Sequence, residues 1–352
     1  MPETGIPFRR LMLRSLRSVD LDVHVILDPI RLSLSVPQAL AMLAWSRPAA
    51  IFTTGGYVSL PPLLAASALR IPVVMWDGNV VPGRSVRVTA RLADCLAVTF
   101  ESTCRTLRKL KPCFVTGTPI RDPRQIDRAA ARAALAVPGG DRLILIFGGS
   151  QAVRRFNSAV AEALPRLVEK ARILHVTGDA GFDEATEGRA RLPEALRDRY
   201  RPERYLGEEM TDALAAADLV VGRAGSSTLA EVAAFGLPMV VVPYPHAAGH
   251  QRRNAEAMVG AGAARLVEDE AFDASALLAA AAILDDPALR DSMAAAARSL
   301  ARPGAADAVA ELVMAAARRE PLPDAASIAA LSGGLPGGLG RAVRPAPIEA
   351  TS

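Results

Sequence analysis

The sequence has few of the residues on which several classes of protein depend. Its 352 residues include three cysteines, Cys95, Cys104 and Cys113. Their odd number and the lack of a CxxC pair argue against a disulfide framework and a zinc site, and fit a reducing cytoplasm. Aromatic residues make up only 4%, and the formal net charge is +4. Without a clear basic cluster or stacking aromatics, we expect no nucleic-acid partner.

Long apolar runs and the common nucleotide-binding motifs are also missing. No run approaches the roughly 18 apolar residues of a membrane-spanning helix. No GxGxxG motif opens a βαβ unit, which argues against a nicotinamide-dependent dehydrogenase. No Walker lysine follows a glycine loop, which argues against a P-loop nucleotidase. The one DxD triplet, Asp20 to Asp22, is interpreted as structural, so we expect neither a bound metal nor a cofactor.

What the sequence does contain is a repeated alternation of strands and helices. Short β-branched runs alternate with stretches rich in alanine and leucine, which is typical of parallel βα units. A chain of this length suits two domains, and we predict two doubly wound α/β domains joined near the Gly-, Pro- and Thr-rich segment 115–124. The predicted strands are 49–54, 72–76 and 95–100 in the first series, and 142–147, 172–177, 218–222, 238–242 and 264–268 in the second.

The predicted boundaries follow from that linker and from composition. Residues 1–117 form the first predicted domain, and residues 118–320 form the second. Proline and glycine dominate residues 321–352 without any periodicity, so we expect this tail to be disordered.

Glycines follow three strands of the second series, at the sheet edge where open α/β sheets bind ligands. They lie in Gly148-Gly149-Ser150, at Gly178 and in the stretch RAGSST, 223–228. In that last stretch the spacing from Thr228 to Glu231 fits a capping box, in which threonine and glutamate satisfy the first amides of a helix. The start of a helix also attracts phosphate. Glu231 is therefore interpreted either as a helix cap or as a ligand for the hydroxyls of a nucleotide sugar.

Two further segments carry polar residues of interest. The loop after the strand 238–242 contains His250 and Gln251 and suits hydrogen bonding to a sugar, whereas His175 lies within a strand and is interpreted as a core histidine. The segment 8–21 alternates apolar residues with arginines. It is either an amphipathic surface for an anionic bilayer or an ordinary solvated element.

Taken together, these motifs resemble one family. The order GGYVSLP, VPGR, GTPIR, GGSQ, HVTG, RAGSSTLAE, GLPMVVVPYPH and HQRRNA is similar to that of the MurG-type N-acetylglucosaminyltransferases of peptidoglycan synthesis, over about residues 29–318. The resemblance implies a GT-B fold, with two Rossmann-like domains facing a cleft. It also implies transfer of GlcNAc from UDP-GlcNAc to the muramyl sugar of a polyprenyl-diphosphate lipid, with inversion, at the inner leaflet of the cytoplasmic membrane.

The resemblance also implies roles for individual residues. The first domain is the acceptor and membrane-facing domain, with Tyr57 and Asn79 on the acceptor side and basic stretches at 8–21 and around Arg84, Arg87 and Arg91 toward the bilayer. The second domain binds the donor. Its implied ligands are Arg121, Ser150 and Thr228 for the diphosphate, Glu231 for the ribose, His250 and Gln251 for GlcNAc, and Leu206, Gly207 and Met210 for the uracil.

The sequence departs from the family pattern in places that concern catalysis. The family opens with a strand and a Gly-His loop whose histidine is the favoured general base, and this loop is missing here. We therefore expect an incomplete N-terminal domain and a true start upstream of Met1. Asp77 is the one candidate base. Three alternatives stay open: another GT-B lipid glycosyltransferase, a UDP-sugar-binding protein with little turnover, and a UDP-GlcNAc epimerase.

Overall fold

The computed structural model describes residues 5–12, 24–123, 126–149, 154–245 and 249–333, with only the backbone for residues 24–30 and 32. The strands, in chain order, are β1 (Ile51–Thr53), β2 (Val73–Asp77), β3 (Cys95–Val98), β4 (Cys113–Val115), β5 (Leu143–Phe147), β6 (Arg172–Val176), β7 (Tyr200–Glu203), β8 (Leu219–Gly222), β9 (Met239–Val241) and β10 (Ala264–Leu266). The helices are α1 (His24–Ser46), α2 (Leu60–Leu69), α3 (Arg84–Thr89), α4 (Glu101–Leu107), α5 (Arg128–Ala134), α6 (Arg154–Lys170), α7 (Phe182–Arg191), α8 (Glu194–Arg197), α9 (Glu209–Ala216), α10 (Ser226–Phe235), α11 (His250–Gly260), α12 (Ala274–Ala281), α13 (Pro287–Leu300), α14 (Ala305–Arg318) and α15 (Ala325–Ser332).

Contacts within the chain divide it into two compact units. The first consists of Met1–Asp77, Pro82–Val115 and Ala308–Ile328, and the second of Gly78–Val81, Thr116–Asp307 and Ala329–Ser352. The sequence assigned everything from residue 118 to 320 to the second domain, whereas most of α14 groups with the first unit. The physical reason is packing, since Ala308, Val309 and Leu312 are buried with residues of β2, β3 and β4.

The first unit is built on a parallel sheet in the order β1-β2-β3-β4. Successive side chains of a strand point to opposite faces of the sheet. Along β2, Val73 and Met75 accordingly join one core with α2, α3 and α4, while Val74 joins the other core with α14. Apolar residues on both faces of the sheet explain why β2 and β3 read as continuous hydrophobic runs.

The second unit is built on a larger parallel sheet in the order β10-β9-β8-β5-β6-β7. Leu143, Leu145 and Phe147 of β5 face one core, which includes residues of α9, α10 and α11. Ile144 and Ile146 face a second core, formed largely with α6 and α12. The chain places β6 and β7 on one side of β5, and then β8, β9 and β10 on its other side. Doubly wound sheets bind ligands at such a switch in strand order, here between β5 and β8. The predicted architecture of two parallel-sheet α/β domains is thus confirmed.

Every strand predicted from the sequence is present, and two more occur that the sequence did not reveal. β4 has only three residues, which is too short to show a pattern. β7 contains Arg201, Pro202 and Glu203 and lies at the edge of its sheet, a position that tolerates proline and charge. A very short strand, or an edge strand that contains proline and charged residues, therefore escapes a search for β-branched runs.

The expected disorder of residues 321–352 is wrong for the first part of that segment. Residues 325–332 form α15, in which Asp324 accepts a hydrogen bond from the Ser327 amide at 2.7 Å. Ile328 is fully buried beside the apolar face of α14. The burial of Ile328 and the cap from Asp324 stabilise a helix here, although the segment as a whole is rich in proline and glycine. Residues 334–352 lie outside the described part of the chain.

Among the described residues, no helix combines the length and apolar character needed to cross a membrane.

Candidate functional site

The carboxyl edge of the second sheet gathers the glycine-containing turns that the sequence singled out. Gly149 follows β5 with φ of 71°, and Gly178 follows β6 with φ of 69°. These left-handed backbone conformations strain any residue with a Cβ atom, which explains the choice of glycine at both turns. The turn after β8 leads directly into α10. Three strands thus end at glycine-containing segments on one edge of the sheet.

The first turn of α10 offers open amides. Its N-cap is Gly225, with φ of −66° and ψ of 141°, and no side chain caps the helix. The first backbone bond within the helix runs from the Leu229 N–H to the Gly225 carbonyl at 3.0 Å. The preceding amides, at Ser226, Ser227 and Thr228, have no helical partner. Such an end is suited to an anion such as a phosphate.

The capping-box interpretation of Thr228 and Glu231 is wrong. The helix begins at Ser226, so Thr228 is its third residue and cannot serve as the N-cap. Gly225 adopts the extended backbone that a cap requires, which moves the start of the helix upstream of the threonine. Glu231 is therefore the sixth residue of the helix, about one and a half turns from its start, which is too far for its carboxylate to cap the first amides.

Glu231 is half-buried, and its surroundings perturb its titration. Burial raises the pKa of the Glu231 carboxyl, and the nearby positive charge of Arg121 partly opposes that shift. Arg121 is thus near enough to influence the charge of Glu231. Arg121 also donates a hydrogen bond to Glu208 at 3.1 Å. Both side chains of that pair are exposed, so it holds Arg121 only weakly.

The three residues predicted to contact uracil follow β7 in sequence. Leu206 is 2% exposed and belongs to the core of the second unit. Gly207 is exposed, and Met210 packs partly against the same core. Of these three residues, only Gly207 and Met210 are therefore accessible to a ligand.

The helix α11 carries His250 and Gln251 and connects several loops. The Gln251 Oε1 accepts hydrogen bonds from the amides of Ala224 at 3.2 Å and Tyr244 at 2.9 Å. The carbonyl end of the Gln251 side chain therefore positions the loops after β8 and β9. His250 is half-buried, and its Nδ1 lies 3.1 Å from the Val81 carbonyl oxygen.

Asn254 is a central residue of this site that the sequence prediction did not include. It is 1% exposed. Its Nδ2 donates to the Ala224 carbonyl and to the Asn79 Oδ1, both at 3.2 Å, and its Oδ1 accepts from the Val80 amide at 3.0 Å. By its contacts the segment Gly78–Val81 belongs to the second unit. The sequence did carry a signal for Asn254. It lies four positions after His250 and three after Gln251, and residues at these spacings share a helix face.

The remaining predicted residues lie in the first unit or outside the described residues. Tyr57 is half-buried and opens a 3-10 turn after Gly55 and Gly56. Asp77 ends β2 and is 4% exposed. Both residues follow or end strands at the carboxyl edge of the first sheet. Ser150 lies outside the described part of the chain.

Comparisons with known proteins define the class of this protein. Residues 143–312 match the glycosyltransferase family 28 C-terminal domain, and residues 1–98 match the N-terminal domain of the same family. In the crystal structure of MurG from Acinetobacter baumannii, 26% of the matched residues are identical, and the TM-score is 0.67 over 89% of this chain and 86% of that one. The protein is therefore a glycosyltransferase of the GT-B architecture.

Sequence relatives identify the family more closely. A protein of Roseiflexus sp. (strain RS-1), named UDP-N-acetylglucosamine--N-acetylmuramyl-(pentapeptide) pyrophosphoryl-undecaprenol N-acetylglucosamine transferase, is 36% identical over 88% of this chain and 79% of its own length. This chain belongs to the family of those transferases. A UDP-N-acetylglucosamine 2-epimerase described as putative, from Listeria monocytogenes, is 17% identical with a TM-score of 0.63, over 86% of this chain and 83% of that one. That likeness shows a shared fold alone.

Proposed function

We propose that the protein transfers N-acetylglucosamine from UDP-N-acetylglucosamine to the muramyl sugar of a polyprenyl-diphosphate lipid. The observation that carries the proposal is the relationship to a transferase named for this reaction, which extends over 88% of the chain and so includes both halves. The open start of α10, together with a half-buried Glu231 that is under the electrostatic influence of Arg121, supports a nucleotide-sugar donor in the second unit.

In this proposal the turn into α10 receives the diphosphate of the donor. The amides of Ser226, Ser227 and Thr228 point out of the helix end, where they and the helix dipole favour negative charge. Negative charge grows on the UDP group as its bond to the sugar breaks. Donors fixed at that position stabilise the transition state more than the ground state. Arg121 adds a cation, and Ser150 is the further proposed diphosphate ligand.

The other donor contacts select the nucleoside and the sugar. As a carboxylate, Glu231 accepts hydrogen bonds from the two ribose hydroxyls. Leu206, Gly207 and Met210 form the proposed uracil wall. The Leu206 side chain is buried in the core, so the exposed backbone of Gly207 is the part able to read the base. His250 and Gln251 contact the GlcNAc hydroxyls in this proposal.

The acceptor side of the proposal rests on the first unit and on the segment Gly78–Val81. Tyr57 and Asn79 are the proposed acceptor-side residues. During transfer the muramyl hydroxyl oxygen forms a bond to the anomeric carbon, the bond to UDP breaks, and a base removes the hydroxyl proton. Asp77 is the candidate base, because it ends β2 at the carboxyl edge of the sheet. We also place the enzyme at the cytoplasmic face of the cell membrane, where its lipid acceptor would be presented.

One incubation tests the proposal against its rivals. Purified protein is mixed with UDP-GlcNAc and either a muramyl-peptide polyprenyl-diphosphate or diacylglycerol. Lipid products are identified by mass spectrometry, the nucleotide sugar is examined by proton NMR because epimers have equal masses, and donor binding is measured by titration calorimetry. A disaccharide lipid formed from the first acceptor supports the proposal. A glycosylated diacylglycerol, an epimerised nucleotide sugar, or donor binding without any product would each overturn it in favour of the corresponding rival.

A further inference from the structure

Arg223 is a buried cation at the start of the RAGSST turn, and none of the proposed ligand contacts includes it. It directly follows β8 and is 6% exposed. A charged side chain loses much of its hydration free energy when buried, so it is found inside a protein chiefly where specific partners compensate. The partners of Arg223 therefore indicate what it does.

Those partners lie on two other loops at the same edge of the sheet. The Arg223 Nη1 donates to the Val242 carbonyl at 3.2 Å and to the Pro243 carbonyl at 3.4 Å, both just after β9. It also donates to the Asp269 Oδ1 at 2.5 Å, in the turn that follows β10. One guanidinium group thus ties the end of β8 to the segments following β9 and β10.

Aromatic rings and a second arginine complete the surroundings of this group. The guanidinium carbon lies 4.8 Å from the centroid of the Phe156 ring and 5.4 Å from that of Tyr244. The other carboxylate oxygen of Asp269 pairs with the Arg155 Nε at 3.2 Å. Planar stacking and a fork of donors are properties of arginine that lysine does not share.

The residue after Arg223 connects this cluster to the open helix end. The Ala224 amide donates to the Gln251 Oε1, which also accepts from the Tyr244 amide. The Ala224 carbonyl accepts from Asn254. Ala224 is followed by Gly225, the N-cap of α10. The position of the α10 amides is therefore fixed by Arg223 on one side and by α11 on the other.

We propose that Arg223 is a positioning residue for donor binding, which holds the turn between β8 and α10 so that the amides of α10 meet the diphosphate of a sugar nucleotide. The inference rests on the proposed function. It predicts that a change at Arg223 weakens binding of the donor and of UDP alone, without a direct contact between its side chain and either ligand.

The chain offers a matched control at the opposite edge of the same sheet. Arg132 is also largely buried, and it donates to the Ala216 carbonyl at 3.0 Å and to the Asp218 Oδ2 at 3.2 Å. Asp218 immediately precedes β8, so Arg132 holds the amino end of the strand that Arg223 holds at its carboxyl end. The two arginines thus have similar chemistry but lie at opposite ends of β8.

The test compares Arg223→Lys with Arg132→Lys by calorimetric titration of UDP and UDP-GlcNAc, by melting temperature, and by steady-state kinetics. Both variants are expected to melt earlier. Only Arg223→Lys is expected to raise the Kd for UDP, by about tenfold, which is the change that corresponds to roughly 1.4 kcal/mol. It should also raise KM for the donor and lower kcat, with KM for the acceptor unchanged.

Other outcomes would overturn either the proposed function or the positioning role of Arg223. If the wild-type protein does not bind UDP-GlcNAc, the proposed function fails. If the wild type binds and Arg223→Lys binds equally well, or if both lysine variants lose affinity in proportion to stability, the positioning role is overturned. Should Arg223→Lys not fold, Asp269→Asn replaces it, because it weakens the same tie while keeping the shape, and unchanged UDP affinity in that variant overturns the inference.

Discussion

The surroundings of the Glu231 carboxyl group favour its neutral form over the charged carboxylate. Burial raises its pKa, which means that folding favours the neutral carboxyl and that the charged form lowers stability at neutral pH. A destabilising group is expected where a ligand requires it. We predict that Glu231→Gln raises the melting temperature at pH 7.5 and weakens UDP binding about tenfold, measured by differential scanning calorimetry and titration calorimetry.

The pH dependence gives a second readout of the same carboxylate. Because its pKa is raised above the ordinary 4.5, the wild type should begin to lose donor affinity at a higher pH than an exposed glutamate would allow. Glu231→Gln should not show this loss. Glu194→Gln, at an exposed helix position, serves as the control and should change neither property. A lower melting temperature with unchanged UDP affinity would contradict the ligand role.

His175 gives the fold a sensitivity to acid. It is 1% exposed, its Nδ1 lies 3.0 Å from the Tyr200 hydroxyl oxygen, and burial lowers its pKa from 6.5 to about 3. The folded state thus excludes the proton that the unfolded state accepts below pH 6.5. Stability is therefore full above that pH and declines as the pH falls toward 3.

We predict that unfolding free energy falls by roughly 2–3 kcal/mol between pH 6.5 and 4.5 on account of His175 alone. Urea denaturation at pH 7, 5.5 and 4.5 measures it. His175→Gln keeps a polar side chain but cannot titrate, so its loss over this range should be smaller by that amount. Equal slopes for the two proteins would show that the histidine does not control the acid response.

The sequence predicted which segments contribute to the site better than it predicted the contacts that their side chains make. The RAGSST stretch pointed to an open helix end, and the structure has one. The capping box failed because any of several small residues can adopt the extended backbone of a cap, and in the structure Gly225 does so. Arg223 and Asn254 could not be assigned because their partners come from segments distant in sequence, such as Asp269 and Val80.

At the scale of elements, strands buried on both faces were the easiest to predict. β2, β5 and β8 are runs of apolar residues because each has a core on both sides. β7 and α15 were missed for different reasons. β7 is an edge strand with charged residues, so its pattern is weak. α15 is a short helix in a segment rich in proline and glycine, and its stability depends on a tertiary contact.

The helix α15 offers a direct test of that contact. Ile328 is fully buried in the core that contains Leu312 of α14, whereas Leu331 is 45% exposed. We predict that Ile328→Ala lowers the unfolding free energy by about 2–4 kcal/mol, because it removes apolar contacts and leaves a cavity. Leu331→Ala should cost less than about 1 kcal/mol. Equal, small effects in urea denaturation would mean that α15 does not pack on this core.

At the scale of the whole molecule, the two sheets and the family could be predicted from the order of motifs, because each motif sits at a fixed strand end. The relation of the chain to a membrane could not. It depends on which apolar side chains remain exposed after folding, and this is set by tertiary packing. Residues 13–21, part of the predicted amphipathic stretch, lie outside the described residues.

The described part of that surface is nevertheless distinctive. Phe8 and Trp45 are 65% and 73% exposed, and the Arg9 guanidinium carbon lies 4.2 Å from the centroid of the Trp45 ring. Gln38 of α1 holds the preceding segment, since it accepts from the Met12 amide at 2.9 Å and donates to the Arg10 carbonyl at 3.1 Å. On α3, Arg84, Arg87 and Val88 are also exposed.

Exposed aromatic residues beside arginines are the combination that binds the headgroup region of anionic bilayers. We predict that the protein sediments with vesicles containing phosphatidylglycerol, that added salt weakens this binding, and that vesicles of phosphatidylcholine alone bind poorly. The double variant Phe8→Ser and Trp45→Ser should bind at least about threefold more weakly, because apolar area inserted into the interface is lost.

Tyr205 is 79% exposed but belongs to the second unit, so Tyr205→Ser is the matched control and should bind like the wild type. If the double variant also matches the wild type, this surface is not the membrane contact, and if neither binds anionic vesicles, the proposed location at the membrane is wrong.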